Sequence, residues 1–114
     1  MIRALVLSLL VIMVTACTPP QESGVKVIVG ARLEQGGDQA PIDYSVVVIA
    51  GGVFRAVGTQ SAVPVPKGSD ITRGLGMTIR PLSAGDALEA GRPANLILEG
   101  GGQRREMRNG EWVQ

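Results

Sequence analysis

A chain of 114 residues has room for one domain, and with 45% hydrophobic residues it is too apolar to remain disordered. The formal charge is +1, and loss of Arg3 with a leader would leave ten basic and ten acidic residues, so no global field attracts nucleic acid. The sequence has no histidine and a single cysteine, which excludes an internal disulfide and removes the imidazole ligands that tight zinc sites use.

Residues 1–16 have the pattern of a cleaved secretory signal peptide. Arg3 lies near the start, an apolar run follows over residues 4–14, and the small residue Ala16 precedes Cys17. The run is too short to cross a bilayer, which takes about 20 residues. Residues 14–17, Val-Thr-Ala-Cys, resemble the lipobox of bacterial lipoproteins.

The lipobox resemblance implies that Cys17 is acylated and anchors the chain to membrane lipid in a bacterial cell envelope. Thr18 stands where the enterobacterial pattern has an acidic residue for inner-membrane retention, which favours the outer membrane, facing the periplasm. Residues 17–24 then form the lipidated cysteine and a short polar tether. An ordinary cleaved leader with a stray cysteine and an uncleaved apolar tail are the alternatives.

The first half of the mature chain has the composition of a β-hairpin preceded by a strand. Residues 25–33 are rich in β-branched residues and predict one strand. Residues 44–50 form a nearly continuous apolar run, which predicts a strand buried on both faces. Gly51-Gly52 predicts a two-residue turn into a strand over residues 53–58, because glycine supplies the positive φ of primed turns.

The second half predicts short strands separated by proline and glycine. Residues 63–66 carry two prolines and indicate an extended edge or a loop. Strands are predicted at residues 77–80, which Pro81 ends, and at residues 95–99, 103–108 and 111–113, with Asn109-Gly110 as a type I′ turn. Only residues 83–91 have room for a helical turn. The sum predicts an all-β fold, a small β-sandwich of about seven short strands and hairpins over residues 25–114.

Five segments resemble, in order and spacing, the composite β-sandwich domain of the amidohydrolase superfamily of metal-dependent hydrolases. They are Gly30-Ala31-Arg32-Leu33, the hairpin over residues 47–58, and residues 71–81, 86–98 and 107–113. In that family the domain flanks a (β/α)₈ barrel that carries the catalytic metal, and many members hydrolyse non-peptide carbon–nitrogen bonds.

The chain departs from the family pattern at the positions that would carry the catalytic residues. Pro81 is followed directly by the segment that comes after the barrel, so the barrel with its His-x-His pair is missing. Asn95 stands where the family has an aspartate. No family catalytic residue has a counterpart here, and we therefore expect no catalytic residue, no metal site and no cofactor.

Three other sets of residues are candidates for binding or catalysis. Asp38 and Asp43 suit a hard cation or ordinary turns. Lys67 and Ser69, two positions apart, suit a Ser-Lys pair or a solvated turn. The glycines at 100–102 suit an anion-binding nest or a flexible hairpin connection. Turn chemistry is the simpler interpretation of all three groups.

The basic cluster consists of Arg104, Arg105 and Arg108. On a strand, Arg104, Glu106 and Arg108 share one face, and Arg105 and Met107 share the other. Contact with lipid phosphates or with a partner is one interpretation, and a solvated, aggregation-resistant edge is the other.

These observations leave three hypotheses for function. The first is a non-catalytic, lipid-anchored envelope lipoprotein whose sandwich is an interaction or structural module, with its barrel-facing surface covered by a homodimer, a partner or new polar residues. The second is an amidohydrolase-related component that completes a separate barrel protein. The third is a truncated relic of that family.

Overall fold

The computed structural model describes residues 24–36 and 38–113; the predicted leader, Cys17 and the tether up to residue 23 lie outside the described residues. In this part of the chain no helix is long and apolar enough to cross a bilayer. The described elements are nine strands: β1 (Lys26–Val29), β2 (Arg32–Leu33), β3 (Ser45–Ala50), β4 (Val53–Thr59), β5 (Asp70–Arg73), β6 (Thr78–Pro81), β7 (Leu96–Gly100), β8 (Gln103–Arg108) and β9 (Glu111–Trp112).

The strands form two mixed sheets. Sheet A has the order β4-β3-β1-β5, and sheet B has the order β2-β6-β7-β8-β9. The hairpin neighbours are antiparallel, whereas β1 runs parallel to β5 and β2 runs parallel to β6. The predicted all-β class and the β-sandwich are confirmed.

The chain changes sheets between β1 and β2, and the prediction of one strand over residues 25–33 is wrong. Gly30 has φ +96°, a conformation that β-branched residues do not adopt, and it turns the chain from sheet A into sheet B. Ala31 at the corner is fully buried. The β-branched residues on both sides of Gly30 have strand propensity, so composition alone did not indicate that the strand breaks at Gly30.

The segment from β5 to β6 makes the same change of sheets directly beside the first one. A methyl group on Gly74 would lie 2.9 Å from the Ala31 Cβ atom, so the two crossings are in van der Waals contact. Gly74 also donates its N–H to the Val29 carbonyl at 2.8 Å. The strand β5 was not predicted, and with β2 it raises the number of described strands to nine.

The main core lies between the two sheets. Sheet A contributes Ile28, Val47, Ile49 and Phe54, each at most 1% exposed. Sheet B and its loops contribute Leu33, Ile79, Leu88, Ala94, Leu96, Leu98 and Met107. Complete burial of a Leu, Ile or Phe side chain stabilises the fold by about 1.5–3 kcal/mol, so this aliphatic layer holds the sandwich together despite the shortage of aromatic residues.

A second apolar cluster lies on the outer face of sheet A. Val25, Val27, Val46 and Val48 belong to it, and Val63 from the loop between β4 and β5 packs onto them. Val46 and Val48 alternate with Val47 and Ile49, which face the main core, so β3 is buried on both faces as predicted. Val63 therefore helps to cover a surface that would otherwise be exposed.

The two predicted two-residue turns are confirmed, and they meet at one end of the sandwich. Gly51 and Gly52 have φ +64° and +81°, and Asn109 and Gly110 have φ +49° and +82°, the positive pairs that type I′ turns need. Ala94 links them, since its N–H donates to the Gly52 carbonyl at 2.9 Å and its carbonyl accepts the Gly110 N–H at 3.0 Å.

Two smaller predictions are corrected. Pro81 does not end the strand before it; it is the last residue of β6 and pairs with Leu96. The missing N–H of Pro81 does not disturb this pairing, because it would point away from β7. Ile79, two residues earlier, directs its carbonyl toward β2, and the Pro81 nitrogen points to the same side, beyond the end of β2. Residues 83–91 contain turns and no helix.

Candidate functional site

The three arginines of β8 lie on two faces of sheet B, as the alternation predicts. The strand register pairs Ile97 with Glu106 and Leu98 with Arg105. Arg105 therefore lies on the same face of sheet B as the buried residue Leu98. At the open end of this face, the Arg105 guanidinium stacks 3.9 Å from the centroid of the Trp112 ring. Arg104 and Arg108 flank Glu106 on the outer face.

Ion pairs neutralise much of the charge on this outer face. Glu106 lies 3.4 Å from the Arg104 guanidinium and 3.3 Å from that of Arg108, and Arg80 pairs with Glu99 on the neighbouring strands. All five side chains are partly exposed, and each such pair contributes about 0–1 kcal/mol. The arginines thus form a mixed-sign ladder rather than a concentrated positive field.

A polar cleft of about 580 Å³ opens beside this ladder. It is lined by Leu82, Ser83, Asp86, Asn95, Arg104, Glu106, Arg108 and Asn109. The cleft brings two of the three predicted arginines together with the loop that follows β6. Arg105 lies elsewhere.

Asp86 is the most constrained carboxylate of the cleft. Its carboxyl oxygens accept hydrogen bonds from the Ser83 hydroxyl at 2.7 Å, the Ser83 N–H at 3.1 Å and the Asn95 side-chain amide at 3.0 Å. The Ser83 hydroxyl and the Asn95 amide lower the pKa of Asp86, against a partial opposing effect of desolvation. Asp86 is therefore ionised at neutral pH.

Asn95 connects the Asp86 loop to the β8–β9 turn. Its amide nitrogen donates to Asp86, and its carbonyl oxygen accepts the backbone N–H of Asn109 at 2.7 Å. An asparagine supplies one donor and one acceptor here, whereas an aspartate would face Asp86 with a like charge. Asn95 therefore joins the Asp86 loop to the β8–β9 turn without placing a second carboxylate beside Asp86.

The chemistry of the cleft does not favour nucleophilic catalysis. The Ser83 hydroxyl is hydrogen-bonded to Asp86, but a carboxylate with a lowered pKa is a weak general base. Within residues 24–36 and 38–113, no group of three or more His, Cys, Asp or Glu side chains is placed to hold a metal ion. The arrangement is suited to polar contacts with a ligand or a partner.

A second candidate surface lies along the side of β5 on which no described strand pairs, and the sequence did not predict it. A groove of about 460 Å³ is lined by Val29, Gly30, Gln60, Val65, Ile71, Arg73 and Leu75. Ile71 is 48% exposed and Leu75 is 72% exposed. We call these residues the β5 groove. The glycines at 68 and 74 around a short β-branched segment were the signal that could have identified the strand.

Tyr44 extends the exposed apolar surface past the end of the β5 groove. It lines a neighbouring depression with Leu75 and is 61% exposed. Its φ of +52° is unusual for an aromatic residue and aims the side chain away from the core.

The other polar candidates have structural roles in turns and loops. The Ser69 hydroxyl donates to the Pro66 carbonyl at 2.6 Å and closes the turn that contains the exposed residue Lys67, so the solvated turn is confirmed. Asp43 pairs with Arg32 at 3.3 Å, and Asp38 lies exposed in a turn. Gly101 and Gly102 form the turn of the β7–β8 hairpin. Cys17 lies outside the described residues.

No family model matches the chain, and no curated protein matches it. A solved structure described as "Structural and catalytic characterization of molinate hydrolase" is similar to part of it, with 26% sequence identity and a TM-score of 0.46. The match covers 51% of this chain and 12% of that chain. A likeness of this extent shows neither a family nor an activity.

Proposed function

We propose that this chain is a non-catalytic, lipid-anchored module of a bacterial cell envelope that binds a partner through its β-sandwich. Acyl groups on Cys17 hold it to the membrane, and the polar residues up to Gly24 separate the domain from the lipid. The observation that carries the binding role is the β5 groove, an apolar surface that the loop carrying Val63 leaves uncovered.

The contrast between the two sheet surfaces supports this function. The outer face of sheet B bears the ion-pair ladder around Glu106, which keeps that side hydrated. The outer face of sheet A is apolar and is closed by the chain itself except along β5. Monomeric proteins seldom leave clustered apolar side chains in water without a binding role.

Membrane association tests the anchor. In cells supplied with labelled palmitate, the wild-type chain should carry label and sediment with membranes, whereas Cys17→Ser should lose both properties. Thr18→Ser is the matched control and should behave like the wild type. Thr18→Asp should move the protein toward the inner membrane. Unlabelled wild-type protein, or Cys17→Ser that stays on membranes, would refute the anchor.

Turnover tests the non-catalytic part of the proposal. The purified chain, with and without added zinc, should not hydrolyse amide or carbamate substrates, because it offers no histidine to hold the metal or to act as a base. Cleavage that rises with protein concentration and stops with a chelator would overturn this function.

A second candidate is an amidohydrolase-related component that completes a separately encoded barrel. The order of the five segments from Gly30 to Val113 supports it. If it is correct, a barrel protein should co-purify with the chain, and metal-dependent hydrolysis of carbon–nitrogen bonds should appear only in the mixture.

A further inference from the structure

Along its outer edge, strand β5 presents backbone groups that pair with no described strand. Asp70 and Gly74 donate their N–H groups to β1, to the carbonyls of Val25 and Val29, both at 2.8 Å. Because backbone groups alternate in direction along a strand, the N–H and C=O groups of Ile71 and Arg73 point away from β1. No described residue pairs with β5 on that side.

The side chains of the same two residues border the β5 groove. Ile71 is in register with Val27, a member of the outer apolar cluster, and Arg73 is in register with Val29. Ile71 and Arg73 therefore lie on the outer face of sheet A, next to the exposed residues Val65 and Leu75. An extended chain hydrogen-bonded to the edge would place alternate side chains over this groove.

The charge of the groove restricts what fits it. Arg73 is the charged residue among its lining residues, and it makes no ion pair or side-chain hydrogen bond with any described residue. A carboxylate on the occupant would complement it. An acyl chain with an anionic head would also meet Arg73, but it would leave the backbone donors and acceptors of Ile71 and Arg73 unused.

We propose that β5 binds an extended, acidic–apolar segment of a partner protein by β-strand addition. In the antiparallel register, one partner residue lies opposite Arg73, and the residue two positions later lies opposite Ile71. The first is acidic and pairs with the guanidinium, and the second is β-branched or leucine and covers Ile71. This inference rests on the proposed function, and it adds the chemistry of the partner.

A synthetic peptide tests the backbone geometry. Fluorescein-labelled Ser-Thr-Glu-Thr-Val-Thr-Ser is titrated with the detergent-solubilised full chain, and binding is read by fluorescence anisotropy. We expect saturable binding below about 1 mM. Methylation of the glutamate amide nitrogen, which faces β5, should weaken binding about tenfold or more, because a hydrogen bond is lost and a clash is added. Methylation of the next threonine amide, which faces away, should change it less than about twofold.

A charge exchange tests the register. Arg73→Glu should weaken binding of the glutamate peptide about fivefold or more, and replacing that glutamate with lysine should restore binding to the variant. Arg92→Glu is the matched control and should bind the glutamate peptide like the wild type, because Arg92 lies beside β4, at the opposite edge of sheet A from β5. The thermal midpoints of all chains are compared so that unfolding is not mistaken for lost affinity.

Several results would overturn the strand-addition proposal. Equal binding of the two methylated peptides would place the peptide away from the edge. Binding of palmitate that displaces the peptide and is abolished by Ile71→Lys would make the groove a lipid site. A concentration-dependent dimer lost in Ile71→Lys would make a second copy the occupant. These results leave the membrane test at Cys17 untouched, so failure of this inference and failure of the anchored function are distinguishable.

Discussion

Adding one methyl group at Gly110 tests the contact between the two hairpin turns. A Cβ atom at this position would lie 2.8 Å from Gly52 Cα and 3.3 Å from Gly52 N, inside ordinary van der Waals distance. Both contacts are backbone atoms, so no side-chain rotation relieves them. The φ of +82° adds a conformational cost, because an L-residue in the left-handed region is destabilised by about 1–2 kcal/mol.

The expected loss in Gly110→Ala follows from these two terms. Backbone overlap adds about 1–3 kcal/mol to the conformational cost, for a total of about 2–5 kcal/mol. A domain of this size has a free energy of unfolding of about 5–15 kcal/mol, so the loss is a large share. It corresponds to a fall of about 8–40 °C in Tm, at roughly 4–8 °C per kcal/mol.

Gly101→Ala is the matched control. Gly101 has φ +60° and no neighbour within 4 Å of the added methyl group, so it bears the conformational cost alone, about 1–2 kcal/mol. Urea unfolding of both variants and the wild type, followed by Trp112 fluorescence with equal m values, gives the difference. If the two alanine variants agree within about 0.5 kcal/mol, the turns are not in contact and the argument fails.

Three further predictions concern Tyr44 and the polar cleft. Tyr44→Asn should raise the free energy of unfolding by roughly 0.5–1 kcal/mol, because asparagine tolerates the positive φ and the exposed ring contributes little burial; a lower free energy of unfolding in a urea titration would contradict this. The pKa of Asp86 is lower in the folded chain than in the unfolded chain. Ionised Asp86 therefore stabilises the fold at any pH above the unfolded pKa of about 3.9, and this stabilisation is lost as the pH falls through the folded pKa. Asp86→Asn should therefore flatten the decline of the urea midpoint on acidification, and an unchanged slope would refute the assignment. Asn95→Asp should lower stability at pH 7 by about 1–3 kcal/mol through repulsion of Asp86, with recovery toward pH 4; a pH-independent effect would exclude the repulsion.

The hairpins could be predicted from the sequence because their information is local. Gly51-Gly52 and Asn109-Gly110 supply positive φ at adjacent positions, and the flanking residues have strand propensity. The alternation of β8 placed Arg104 and Arg108 on one face for the same reason, since two residues per repeat fix the side of each side chain.

The sheet crossing and β5 depend on distant partners, which explains why the sequence did not predict them. Gly30 turns the chain because Leu75 packs against it and Gly74 fits beside Ala31, and nothing in residues 25–33 alone signals that contact. Asp86 and Asn95 likewise meet only after the loop following β6 folds back onto sheet B. The β5 groove forms only through these long-range contacts, so the sequence did not predict it either.

The paired sheet crossings also bear on how the chain reaches its native state. Lys26 aligns with Asp70 and Arg32 with Thr78, so the parallel ladders join segments that are remote in the sequence. Such ladders raise the relative contact order and slow folding, because a long loop must close before any pairing is rewarded. The β3–β4 and β7–β8 hairpins close short loops and are suited to nucleate the reaction. Until the crossings dock, the strand edges of both hairpins are open to other chains, so the partly folded chain is prone to aggregation during that interval.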